Sequence, residues 1–258
     1  MDSVNKTLYI PLYGKSYVSK KGIILHDEKA EEIWAAEGFP LKGKSASKWL
    51  AYYMGMRSAV FDRWLAEKME ENPNATVLHI GCGMDSRIAR VGDRGHQWFD
   101  VDFPEVTDQR SLYFGETKQY HMISGDLREK DWLEQIPGGN AIVVLEGISM
   151  YLKPEELKAA FENLYGHFKN VQILMDCYTV FAAKASKYKN PINDVGVTEV
   201  FGMDDPNGLP GFLREHEMTP QDLIDQLQGM ERKIFATLYA GRTAHKMYRL
   251  YEYQKPLK

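Results

Sequence analysis

Cysteine is almost missing from this chain. Two thiols, Cys82 and Cys177, stand among 258 residues, too few for a disulfide framework or a thiolate metal site, so a reducing cytoplasm is the expected setting. No run of about 18 apolar residues occurs and the N-terminus has no long apolar core, so neither a membrane span nor export is expected. An excess of one charge is lacking too. Lysine and arginine number 32 against 36 acids, a formal charge of −4, which gives no electrostatic reason to expect nucleic acid as partner. The seven histidines show no HxxxH spacing, so no metal is expected, and no GxxxxGK phosphate loop occurs. Repeats and low-complexity linkers are missing as well. The length suits one large domain or one domain with a lid.

What is present centres on Ala75 to Asp102, ATVLHIGCGMDSRIARVGDRGHQWFDVD. Ala75 to Ile80 is a short β-branched run after the turn signal Asn72-Pro73-Asn74, and reads as a buried parallel strand. Gly81-Cys82-Gly83 then allows backbone conformations closed to larger residues and lets a ligand approach main-chain N–H groups. A second strand, Gln97 to Val101, ends at Asp102, about 20 residues after the first glycine, where an acid can accept hydrogen bonds from both ribose hydroxyls. A tight strand-to-helix connection would give the same glycine pattern. Ser86 stands where a dinucleotide fingerprint has Gly or Ala, and Asp85 places negative charge where a pyrophosphate would bind. An adenosine cofactor without phosphate, S-adenosylmethionine, fits better than a nicotinamide dinucleotide.

Around this unit the chain alternates strands and helices, as a doubly wound, mainly parallel sheet does. Ser45 to Glu71 spaces its apolar residues as one long or two broken helices carrying Arg57 and Asp62. Arg57 can hold a carboxylate bidentately, or be a solvated helix charge. Further strands are expected at Gln119–Ser124, Asn140–Glu146 and Val171–Asp176. Asp126 and Glu146 close the first two at the ligand crevice, although Asp126 could equally cap a helix. Residues 190–218 have the composition of a loop over a substrate, and His216 there is the one histidine nominated as a base, a surface histidine being the alternative. Lys233–Tyr239 and Lys246–Tyr253 read as a terminal hairpin.

Six motifs in order, PLYGKS, MGMRSAVFD, LHIGCGMDSR, FDVDFPEV, SGDLRE and LEGISMYL, resemble the leucine carboxyl methyltransferase family, in its bacterial branch of tetracenomycin-type polyketide O-methyltransferases. The resemblance implies an α/β, Rossmann-like S-adenosylmethionine-dependent methyltransferase fold in a single domain over 1–258: a seven-stranded, mostly parallel sheet with an antiparallel last strand, plus an N-terminal helical cap over 1–70 and a lid insertion over 178–218. It implies that Arg57, with Lys15 as helper where that branch commonly has arginine, meets the methionyl carboxylate, and that Gly81, Cys82 and Gly83 flank the methionine portion. It places Asp102 on the ribose, Asp126 and Leu127 on adenine, Glu146 near the amine and sulfonium, and Tyr151 at the acceptor pocket. The implied reaction is O-methylation of a small-molecule carboxylate or hydroxyl, releasing S-adenosylhomocysteine. A protein C-terminal carboxylate as acceptor, or a regulatory S-adenosylmethionine-binding protein without turnover, are the other readings. The sequence leaves the oligomeric state open.

Overall fold

The computed structural model describes residues 5–189 and 199–256. The aromatic N-terminus, without clear period as a sequence, forms α1 (Tyr9–Lys20). Its rings are the seam with the next helix: Tyr9 stacks on Phe39 at 4.1 Å and Tyr13 meets Trp34 at 5.2 Å. Asp27 starts α2 (Glu28–Glu37) as expected, its carboxylate accepting from the Ala30 N–H at 2.9 Å. Ser45 to Glu71 holds one unbroken 24-residue helix, α3 (Lys48–Glu71), after a short 3-10 turn. It lies between α1 and the sheet and buries most of its surface, which is why its apolar stripe is broad.

β1 (Thr76–Ile80) is followed by the one-turn-long α4 (Arg87–Val91), β2 (Trp98–Asp102), α5 (Pro104–Ser111), β3 (Tyr120–Ser124) and β4 (Asn140–Leu145). Then come α6 (Pro154–His167), β5 (Asn170–Tyr178) and α7 (Val180–Lys189). The last elements are β6 (Phe212–Glu215), α8 (Gln221–Ile224), α9 (Gly229–Leu238), α10 (Arg242–Met247) and β7 (Tyr248–Gln254). The sheet runs β3-β2-β1-β4-β5-β7-β6, with β1 to β5 parallel and β7 antiparallel to both neighbours. The order reverses between β1 and β4, and a crevice opens at the C-terminal ends of strands there. Apolar cores cover both faces, one beneath α1 and α3, the other beneath α6.

The C-terminal hairpin expected from sequence is not formed. Lys233–Tyr239 lies largely in α9, while the antiparallel partner of β7 is β6, drawn from the segment read as lid. A short apolar run does not distinguish strand from helix by itself. Here long-range contacts decide: Glu231 in the first turn of α9 accepts from Lys48 Nζ at 2.7 Å and Tyr52 Oη at 2.6 Å, and Phe235 is buried. Of the 190–218 stretch expected as a loop, residues 190–198 lie outside the described residues. Among the described residues no helix is long and apolar enough to cross a membrane, and no His/Cys/Asp/Glu cluster could hold a metal.

Candidate functional site

A cavity of about 450 Å³ sits at the switch point. Its floor is the turn after β1 and the ends of β2 and β4, and Thr7, Leu8 and Pro11 from the N-terminal region contribute to its wall. Every residue predicted for the site lines it except His216.

The glycine turn is closed by its own hydrogen bonds. Gly81 N–H and Cys82 N–H donate to Val101 O at 2.7 and 3.4 Å, Gly83 N–H to Asp102 Oδ2 at 2.7 Å, and Asp85 N–H to Cys82 O at 3.0 Å. The amides expected to greet a ligand are therefore largely engaged within the protein, and the turn lacks the cluster of free donors that a pyrophosphate requires. What the turn does offer is close approach. Gly81 has φ +67°, and a Cβ there would fall 2.2 Å from Ile148 Cγ2. From below, Arg110 donates through Nη1 to Gly83 O at 3.0 Å and Asp85 O at 2.6 Å while pairing with Asp100. Sequence reasoning missed both Arg110 and Asp100.

Asp102 accepts one backbone N–H on each oxygen, from Gly83 and, at 2.8 Å, from Phe103. A carboxylate has about four lone-pair sites, so acceptor capacity remains on both oxygens. Burial raises this carboxyl to about 6, against the lowering pull of the two amides.

Beside the turn lies a buried ionic network. Arg57 is not solvated. Its Nε donates to Glu146 Oε1 at 3.0 Å, and its Nη1 donates to Asp176 Oδ2 at 3.0 Å and reaches Tyr248 Oη at 3.3 Å. Glu146 also accepts from Ser58 Oγ at 2.9 Å and from Arg87 Nη2. Burial would raise the Glu146 carboxyl, but Arg87 and Arg57 hold it at about 2. Asp85, expected as a bare charge at the helix start, faces Lys15 at 3.2 Å, Arg87 at 3.3 Å and Arg90 at 2.8 Å, which hold it well below the usual carboxylate range despite burial. Its repulsion of a phosphate is thus largely cancelled, and the engaged amides, rather than Asp85, distinguish this turn from a dinucleotide site. Arg90 continues the network to Asp62 and Asp27. Lys15, Arg57, Arg87 and Arg90 face Asp27, Asp62, Asp85, Glu146 and Asp176, one carboxylate in excess. Burying so many charges is tolerable only because nearly every one has partners.

Asp126 and Leu127 lie at the other end of the cavity. Asp126 is gripped by Arg128 Nε at 3.0 and 2.9 Å and accepts the Arg128 N–H at 2.9 Å, which holds its carboxyl below the usual range despite partial burial. Cys82 is buried, and burial pushes its thiol well up, so it has no nucleophilic character. Tyr151 joins Tyr53, Tyr178 and Tyr248 in an aromatic wall, with Met54, Met150 and Met247 beside it. His216 is elsewhere. Its Nε2 lies 2.7 Å from Glu252 Oε2 at the β6–β7 edge, so the structure removes it as a base for this cavity. It was nominated because the loop composition of its neighbourhood hid the strand β6, which carries the preceding residues into the sheet.

The sequence profile of leucine carboxyl methyltransferases matches residues 7–165. The chain belongs to the leucine carboxyl methyltransferase family. It is accordingly a methyltransferase that uses S-adenosylmethionine. It is 26% identical over 262 residues to the tetracenomycin polyketide synthesis O-methyltransferase TcmP of Streptomyces glaucescens, covering 96% of this chain and 97% of that protein. It is 28% identical over 246 residues to the S-adenosyl-L-methionine-dependent methyltransferase dpfgK of Gibberella zeae, with 84% and 83% covered. The fold is similar to that of magnesium protoporphyrin IX methyltransferase from Synechocystis with bound S-adenosylhomocysteine, at TM-score 0.50 and 13% identity over 94% of this chain and 97% of that one. A DUF574-family protein from Streptomyces avermitilis matches at TM-score 0.55 and 11% identity, with 90% of each chain covered.

The residues of the methyltransferase's cavity fit its cofactor. A side chain at Gly81 would collide with Ile148 on the cavity wall, Asp102 retains acceptor capacity, and the network with one carboxylate in excess suits a ligand whose carboxylate, ammonium and sulfonium sum to one positive charge.

Proposed function

We propose that the enzyme methylates a carboxylate oxygen of a small-molecule acceptor. S-adenosylmethionine supplies an already activated methyl on sulfonium, so the protein's work is alignment and exclusion of water. In this reading Arg57 and Lys15 receive the methionyl carboxylate, Glu146 its ammonium, Asp102 the ribose, and Asp126 with Leu127 the adenine. Gly81, Cys82 and Gly83 form the surface beneath the methionine portion. Tyr151 and the aromatic wall hold the acceptor.

One observation carries the choice of a carboxylate: among the described lining residues no group outside the proposed cofactor contacts has the proton affinity of a general base, Asp102, raised to about 6, being assigned to the ribose. Glu146 is held at about 2 by its arginines although buried. His79 is kept neutral by burial and Arg87, and Arg87 Nη1 lies 2.9 Å from its Nε2, so the ring nitrogen able to take up a proton already faces a donor; Nδ1 lies 3.2 Å from Asp100 and makes no hydrogen bond among the described residues. Burial raises the Tyr151 hydroxyl, which stays protonated at neutral pH and can donate to an acceptor oxygen. A phenol of pKa about 10 would need a base, whereas a carboxylate of pKa about 4 is already ionised. Two buried free thiols suit a reducing cytoplasm.

The test is S-adenosylhomocysteine release with a panel of aromatic and aliphatic carboxylates, matched phenols and a peptide ending in leucine. Turnover confined to small carboxylates supports the reading. Equal rates with phenols at neutral pH would sink the choice of acceptor, the peptide as best substrate would move the activity to protein C-termini, and cofactor binding without release in any reaction would favour a regulatory protein.

A further inference from the structure

Asp176, in β5, lies outside the stretch matched by the family profile, and nothing in the motifs gives it a role. It is fully buried and its carboxylate makes two contacts. Oδ1 accepts the Gly147 N–H at 2.6 Å, and Oδ2 accepts from Arg57 Nη1 at 3.0 Å. A planar guanidinium held by Glu146 at Nε and by Asp176 at Nη1 has little freedom to turn. That leaves Nη2 as the nitrogen of Arg57 with no hydrogen bond among the described residues, on a side chain that lines the cavity. Gly147 keeps the approach to it open: at φ +75°, a Cβ there would come within 3.3 Å of Nη2. The turn carrying Gly147 is tied to the same aspartate a second time, since Ser149 Oγ donates to its main-chain oxygen.

We propose that Asp176 is a positioning residue for cofactor recognition: through Arg57 Nη1 and the Gly147 amide it aims Arg57 Nη2 at the carboxylate of the amino-acid head. The proposal rests on the assignment of Arg57 to that carboxylate. It predicts an effect confined to ligands that carry the head, which a merely structural ion pair does not.

Asp176→Asn keeps size and the acceptor for Gly147 while removing the charge. Titration with S-adenosylhomocysteine and 5′-methylthioadenosine, which has the adenosine and thioether but no amino-acid head, reads the difference. Affinity for S-adenosylhomocysteine should fall about tenfold or more, the scale of one charge-assisted hydrogen bond. Affinity for 5′-methylthioadenosine should stay within about twofold, because its contacts are elsewhere. If Asp176→Asn does not fold, judged by its thermal transition, Asp176→Glu keeps the charge but displaces it by one methylene, and the same selective loss is expected at smaller size. Parallel loss of both ligands, or unchanged affinity for both, overturns the proposal. Wild-type protein that binds 5′-methylthioadenosine as tightly as S-adenosylhomocysteine would instead overturn the assignment of Arg57, and the proposal with it.

Discussion

Two parts of the cavity lining, joined where Arg57 meets Tyr248, are built from different materials. In the ionic part, proposed to hold the cofactor's amino-acid head, Lys15, Arg57, Asp85, Glu146 and Asp176 are fixed by ion pairs between elements far apart in sequence. In the aromatic part, proposed to hold the acceptor, Tyr53, Tyr151, Tyr178 and Tyr248 present rings, with Met54, Met150 and Met247 beside them. Charge pairs in low dielectric have one good arrangement, and removing one partner strands the other. Apolar walls tolerate exchange at similar volume, so they can be retuned to a new acceptor without disturbing the donor. On the proposed assignment, a constant donor site beside an adjustable acceptor site follows from that contrast.

The comparison can be broken most forcefully at Arg57. Arg57→Ala leaves Glu146 and Asp176 without their shared cation, and a stability loss of about 3–5 kcal/mol in chemical denaturation is expected, beyond any loss of cofactor. A loss below about 1 kcal/mol would mean that the network does not hold the fold. Next is Asp102→Ala, which removes two hydrogen bonds to ribose and should weaken S-adenosylmethionine by about 1.5–3 kcal/mol in calorimetry. The same residue predicts a pH dependence. Burial raises the Asp102 carboxyl to about 6, so the acceptor form prevails above that pH and protonation removes it below. Affinity should be level from pH 7 to 8 and about tenfold weaker at pH 5, since each unit below the pKa takes a factor of ten from the anionic fraction. Asp102→Asn should abolish that slope. On the aromatic wall, Tyr151→Phe should raise KM for the acceptor about three- to tenfold, the scale of one neutral hydrogen bond, and leave cofactor affinity unchanged. The smallest effect is expected at His216. His216→Gln should leave kcat unaltered, because the imidazole serves Glu252 at the sheet edge.

The legible parts were those whose function lies in short-range order. The glycine turn, the acid closing β2 and the alternation of strand and helix are local patterns, and they located Gly81, Asp102, Asp126 and Glu146 on one crevice. Asp176 and Arg57 are 119 positions apart, and no spacing rule connects them; Asp176 could be seen only as the end of a strand. Arg87 and Arg90 stand inside the Ala75 to Asp102 stretch, three residues apart on α4, yet their burial depends on Asp62 of α3 and Asp27 before α2. The turn was read correctly and its chemistry was not. Gly81 and Gly83 permit close approach, but which N–H groups remain free depends on Val101 and Asp102, across the sheet. The C-terminal region was hardest, because β6 has exposed residues at three of its four positions and no alternation to reveal it, while α9 carries a strand-like composition.

Calorimetric titration of the wild-type protein with S-adenosylmethionine and, separately, NADH tests the central claim most directly, with Asp102→Ala alongside. The account predicts that S-adenosylmethionine binds, that Asp102→Ala weakens it, and that NADH shows no heat, because the turn's amides are engaged and cannot cradle a pyrophosphate. Binding of NADH to the wild type, or S-adenosylmethionine binding indifferent to Asp102, would contradict it.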